Sequence, residues 1–169
     1  MAQEKILVID DELFVRELLQ EFLTKEGYKV YIADSGEKGV NLVKATPVEI
    51  ALIDLKMPGM DGISTLQEIK KITPDTIAII LTGYPTIESS IEALRSGAYD
   101  YVVKPFKLND LKNTLTRALN EYRLKAEIGK LREKIKSLEE ELQEYQKIGK
   151  KKSTSETDAD RTSGDAPPR

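Results

Sequence analysis

Residues 51–62 read ALIDLKMPGMDG. Ala51, Leu52 and Ile53 belong to an unbroken apolar run, and Pro58, Gly59, Asp61 and Gly62 supply turn chemistry just beyond it. A short strand that is apolar at successive positions, rather than at alternate ones, is covered on both faces. Asp54 therefore sets a carboxylate where a buried strand emerges. If it only ended the strand, no other polar group would need to meet it there.

Working outward, the same signature recurs four more times. KILVID (5–10), YKVYIA (28–33), EIALID (49–54), TIAIIL (76–81) and YDYVV (99–103) are short runs rich in Ile, Val and Tyr. Between them lie segments of helical period. ELFVRELLQEFLTKEG puts Phe14, Leu18, Leu19 and Phe22 on one face and stops at Gly27. SGEKGVNLVKA starts on Ser35 as an N-cap and buries Val40 and Val43. DGISTLQEIKKIT and TIESSIEALRSGA repeat the arrangement. Five strand–helix alternations predict an α/β fold, flavodoxin-like: a (βα)5 doubly wound, five-stranded parallel sheet of order 2-1-3-4-5 with helices on both faces. Ligands in such sheets gather beyond the carboxyl ends of the strands.

From Leu108 the pattern changes, and no proline stands between Pro105 and Pro167. Residues 108–148 read as one helix of roughly 60 Å at about 1.5 Å per residue. Its second half carries heptads, with Ile128, Ile135 and Leu142 at a and Leu124, Leu131, Leu138 and Tyr145 at d. Ile at a with Leu at d favours a parallel two-stranded coiled coil, and Glu127 facing Arg132 and Lys134 facing Glu139 agree with it. Gly129 weakens that helix by about 1 kcal/mol relative to alanine. The expected organisation is a globular domain over 1–120, a coiled-coil dimerisation helix continuous with helix 5 over 121–148, and a structureless polar tail over 149–169.

Composition narrows the chemistry. The 169 residues are 40% hydrophobic and 33% charged, with a net charge of −3. That balance gives no reason to expect nucleic acid or a membrane surface as a direct partner. Cysteine is absent, which fits a cytoplasmic location, and the N-terminus lacks the apolar stretch of a secretory signal. Histidine is absent too. A histidine base, a Ser-His-Asp triad and a His/Cys zinc site are thereby excluded, leaving carboxylates, lysines and hydroxyls.

Those groups fall in one place. Strand 1 ends in Asp10–Asp11 and strand 3 in Asp54; strand 4 is followed by Thr82 and strand 5 by Lys104–Pro105. In the order 2-1-3-4-5 these are neighbours, so all five side chains share one sheet edge. Two unit charges about 4 Å apart repel by about 4 kcal/mol at an effective dielectric near 20. Such acids need a proton or a cation, and an all-oxygen set suits Mg²⁺ or Mn²⁺. A hard cation and a lysine beside a carboxylate form a receptor for a phosphoryl group, with Asp54 as nucleophile.

VIDDE (8–12), IDLKMPGMDG (53–62), LTGY (81–84) and GAYDYVVKPF (97–106) together resemble the receiver domains of two-component response regulators, most closely those of NtrC-type regulators. The resemblance covers residues 4 to about 120. It implies a CheY-like fold and a phosphoryl group accepted on Asp54 from a histidine kinase. Mg²⁺ would be held by Asp10, Asp11, Asp54 and the backbone carbonyl of Lys56. Lys104 would pair with the phosphoryl oxygens, Thr82 would turn its hydroxyl to them, and Tyr101 would be the switch aromatic. Lys56 and Tyr84 would tune the loss of phosphate, and Lys104–Pro105 would be a cis peptide. The chain would be a switch rather than an enzyme. A Mg²⁺-dependent aspartyl-phosphate phosphatase is the competing reading, but such enzymes carry a second aspartate where Lys56 stands and need a substrate cap. A flavodoxin-like cofactor binder would need a hydroxyl-rich loop where DDEL follows strand 1.

Overall fold

The structure, a computed structural model, describes residues 3–159. Five strands alternate with five helices: β1 (Lys5–Ile9), α1 (Leu13–Lys25), β2 (Lys29–Ala33), α2 (Gly36–Ala45), β3 (Ile50–Asp54), α3 (Gly62–Ile72), β4 (Ile77–Thr82), α4 (Ile87–Arg95), β5 (Asp100–Val103) and α5 (Leu108–Ala159). The strands form one parallel sheet in the order β2-β1-β3-β4-β5, as the strand–helix alternation predicts.

Strand pleating divides the core in two. Leu7, Ile9, Ala51, Ile53, Ala78 and Ile80 face the layer containing Val40, Val43, Leu66 and Ile69 of α2 and α3. Ile6, Val8, Ile50, Leu52, Ile77, Ile79 and Leu81 face Leu19 and Leu23 of α1 and Leu111, Leu115 and Leu119 of α5. Every residue of β3 is buried, which is why its sequence shows no polar alternation.

The predicted face of α1 needs correction. Leu19 and Leu23 are fully buried, whereas Phe14 is 73% exposed and Leu18 lies at the surface. With 3.6 residues per turn, the stripe over the sheet runs through Val15, Leu19, Phe22 and Leu23. Phe14 and Leu18 form the neighbouring, outward stripe. In α2, Ser35 caps as expected, accepting from the Lys38 N–H at 3.3 Å, and Val40 and Val43 are buried.

By compactness the chain divides into residues 1–124 and the part from Lys125 onward. Within the second part α5 stays helical to Ala159, so a structureless tail beginning at 149 does not hold over 149–159. The lone Gly149 costs about 1 kcal/mol and cannot by itself end a helix, and no proline follows until Pro167. The rest of the expected tail, 160–169, lies outside the described residues. Leu124, Ile128, Leu131, Ile135, Leu138, Leu142 and Tyr145 are between 40% (Ile128) and 73% (Tyr145) exposed, as is Ile148 within that range.

Candidate phosphoryl-accepting site

The carboxyl ends of β1, β3, β4 and β5 build the site. Asp54 is the last residue of β3, and the turn after it is folded back tightly. Gly59 sits at φ +77°, a left-handed conformation that favours glycine. At Gly62 a Cβ would lie 2.3 Å from the Asp54 carbonyl oxygen, so only glycine lets α3 start against the end of β3. Asp61 caps that helix, accepting from the Ser64 N–H at 2.7 Å.

Asp10, Asp11 and Asp54 present carboxylate oxygens that all lie within 4.8 Å of one another. Asp10 is 0% and Asp54 6% exposed, while Asp11 faces solvent. The Lys104 ammonium reaches between them, donating to Asp10 Oδ2 at 2.6 Å and Asp54 Oδ1 at 3.2 Å. The Lys104 N–H donates to the Thr82 carbonyl at 2.7 Å, which keeps the chain after β5 beside the end of β4, and the Lys104–Pro105 peptide is cis. Glu12 Oε1 stands 3.8 Å from the same ammonium.

Burial, and then the neighbouring Asp10 charge, push the Asp54 carboxyl up to about 7, against the pull of Lys104. Burial works to lower the Lys104 ammonium, but the hydrogen bond and charge of Asp10, and then those of Asp54, outweigh it and hold its pKa above the ordinary value. Three clustered carboxylates against one ammonium leave uncompensated negative charge. The donor set is all oxygen, which fits a hard divalent cation.

Thr82, at the end of β4, is buried, and its hydroxyl accepts from the Tyr84 N–H at 3.1 Å, turned to its own loop. Lys56 and Tyr84 meet at the surface. The Lys56 ammonium lies 5.0 Å from the Tyr84 ring centroid, a cation–π contact. Tyr101 on β5 is half-buried, and its hydroxyl lies 2.8 Å from Ser89 Oγ on α4. The predicted acids and lysine therefore converge directly. Thr82 joins them at the adjoining strand end, and Tyr101 is engaged with α4.

Two contributors escape sequence reasoning. The Arg16 guanidinium donates to the carbonyl oxygens of Asp10 at 2.7 Å and Asp11 at 2.9 Å, clamping the loop that presents both acids. Its spacing from them carries no motif. Glu12 was legible only as a third acid in DDE. Its N–H donates to Asp10 Oδ1 at 2.9 Å, which occupies the second oxygen of that buried carboxylate.

An acid cluster at the switch edge of a five-stranded parallel sheet, bridged by one lysine, defines a class of phosphoryl-accepting signalling domain. Residues 6–116 match the response regulator receiver domain, and the chain belongs to that family of two-component receivers. It is 37% identical over 134 residues to the regulatory protein AtoC of Escherichia coli, an NtrC-type regulator, covering 79% of this chain but 29% of AtoC. It is 34% identical over 119 residues to sporulation initiation phosphotransferase F of Bacillus subtilis, covering 70% of this chain and 96% of that protein. A CheY-like receiver structure from Methanospirillum hungatei superposes with a TM-score of 0.72 at 31% identity, covering 73% of this chain and 99% of that one. The chain thus spans less than a third of AtoC and nearly all of the phosphotransferase. Among the described residues, no helix is long and apolar enough to cross a membrane.

Proposed function

We propose that Asp54 is the phosphoacceptor of this receiver and that a histidine kinase is the donor. The observation that carries this reading is the Lys104 ammonium held between Asp10 and Asp54, within a cluster of three acids. An Asp54 oxygen attacks the phosphorus of a phosphohistidine or a small acyl phosphate. The bond from phosphorus to the leaving group breaks, and the leaving group departs with the electron pair. Lys104 pairs with the phosphoryl oxygens, and Thr82 exchanges its Tyr84 bond for one to the phosphoryl group. Asp10, Asp11, Asp54 and the Lys56 carbonyl would hold Mg²⁺ or Mn²⁺, which neutralises charge on the transferring group. Tyr101 turns as Thr82 moves.

The cycle closes when water attacks the phosphorus and regenerates the Asp54 carboxylate, so the chain acts as a switch and turns over only its own phosphoryl group. Lys56 and Tyr84, joined across 5.0 Å, hinder that water. The exposed heptad residues of α5, Leu124 through Tyr145, form the face of a parallel homodimer whose association responds to phosphorylation. The location that goes with this reading is the cytoplasm. This reading includes no direct binding of nucleic acid by this chain. Incubation with radiolabelled acetyl phosphate and Mg²⁺ tests the reading: the chain takes up label as an alkali-labile acyl phosphate, and chelation of Mg²⁺ prevents it. A chain that instead turned over free phosphomonoesters would favour the phosphatase.

A further inference from the structure

Ser89 occupies a crowded position. It is the N3 residue of α4, in a capping box with Thr86: the Ser89 N–H donates to Thr86 Oγ1 at 3.0 Å, and the Thr86 N–H donates to Ser89 Oγ at 3.2 Å. Ser89 Oγ also lies 2.9 Å from Thr86 Oγ1, 3.1 Å from the Thr86 carbonyl and 2.8 Å from the Tyr101 hydroxyl. A serine hydroxyl has one hydrogen and two acceptor sites. Four neighbours therefore compete for three places, and while Tyr101 holds one, the Thr86 hydroxyl and the Thr86 carbonyl cannot both be served. The N-terminus of α4 and the orientation of Tyr101 draw on the same oxygen.

We propose that Ser89 is a positioning residue of the switch: its hydroxyl holds Tyr101 in the conformation seen here, and its release when Tyr101 turns lets it serve both the Thr86 hydroxyl and the Thr86 carbonyl within the existing capping box. The inference rests on the reading of Tyr101 as the switch aromatic. In this conformation both switch hydroxyls are engaged away from the acids, Thr82 with the Tyr84 N–H and Tyr101 with Ser89. A phosphoryl group that recruits Thr82, with Tyr101 following, must work against the Ser89 bond. By linkage, whatever stabilises this conformation weakens phosphoryl binding by the same factor. Ser89 also borders the groove between the β3–α3 turn and α4, together with Lys56, Met57 and Asp61, so a changed cap alters a surface that begins at the site's mouth.

The test is a titration of the full chain with beryllofluoride and Mg²⁺, followed by amide NMR shifts, in a double-mutant cycle. Ser89→Ala tightens the apparent affinity roughly five-fold, the worth of one net hydrogen bond. In a Tyr101→Phe background the same substitution adds nothing, and Ser89→Thr restores the wild-type affinity. Ser89→Cys, which keeps the volume and weakens the bond, shifts affinity in the same direction and serves if the alanine variant unfolds. Unchanged affinity in Ser89→Ala, or an equal shift in both backgrounds, would overturn the inference, since a cap effect alone is indifferent to Tyr101. Wild-type protein that binds no beryllofluoride would overturn the phosphoacceptor reading itself, a result distinct from either.

Discussion

At the scale of single residues, the site is defined by a carboxylate in the wrong electrostatic company. Asp54 holds its proton up to about 7 in the folded, metal-free chain, against about 3.9 when unfolded. The folded state therefore binds the proton more tightly. The associated stability is fully present below about pH 4 and is lost as pH rises through about 7. Asp54→Asn should accordingly stabilise the chelator-treated protein at pH 8, by about 1–3 kcal/mol on this linkage, with the gain shrinking toward pH 4; denaturant melts at both pH values measure it. A gain equal at both would mean that Asp54 is not the group responsible. Tyr84→Ala removes the cation–π partner of Lys56 and should speed loss of the phosphoryl group about two- to five-fold, the size of an exposed cation–π contact. The wild type should keep its label for minutes, and loss within seconds would contradict the shielding. The acids, Thr82 and Lys104 were legible because each stands at a strand end in the sequence. Arg16 and Ser89 were not, because their partners are backbone carbonyls and a hydroxyl brought near only by folding.

At the scale of elements, the apolar runs of β1, β3 and β4 made the parallel sheet readable, and Gly59 and Gly62 made the turn after β3 readable. The buried face of α1 differs from the sequence expectation because Phe14, Leu18, Leu19 and Phe22 lie within one wide arc of a helix, and hydropathy cannot choose its centre. Burial makes the choice. Leu19→Ala should cost about 2–5 kcal/mol, and Phe14→Ala should stay within about 0.5 kcal/mol, as read from urea midpoints. The reverse ranking would put the core face where the sequence first suggested. The helix α5 runs past the expected end for a related reason: a polar composition argues against a packed core, but it does not forbid a helix that lacks proline.

At the scale of the whole molecule, the two parts carry separable claims. The exposed α5 seam predicts self-association, so the wild type should sediment as a dimer and Leu131→Asp with Ile135→Asp as a monomer, with labelling at Asp54 unchanged in the variant. Identical sedimentation of both proteins would remove the dimer from the account. The resemblance reaches both the receiver part of a much longer regulator and a phosphotransferase of nearly this domain's size, so the chemistry at the sheet edge is what the account stands on. Its direct measurement is acetyl phosphate labelling of wild type and Asp54→Asn side by side, with Mg²⁺ present. The expected result is one phosphoryl group per wild-type chain, mapped to the peptide carrying residues 51–62, and none on the variant. Equal labelling of both proteins, or label mapped to Asp10 or Asp11, would contradict it.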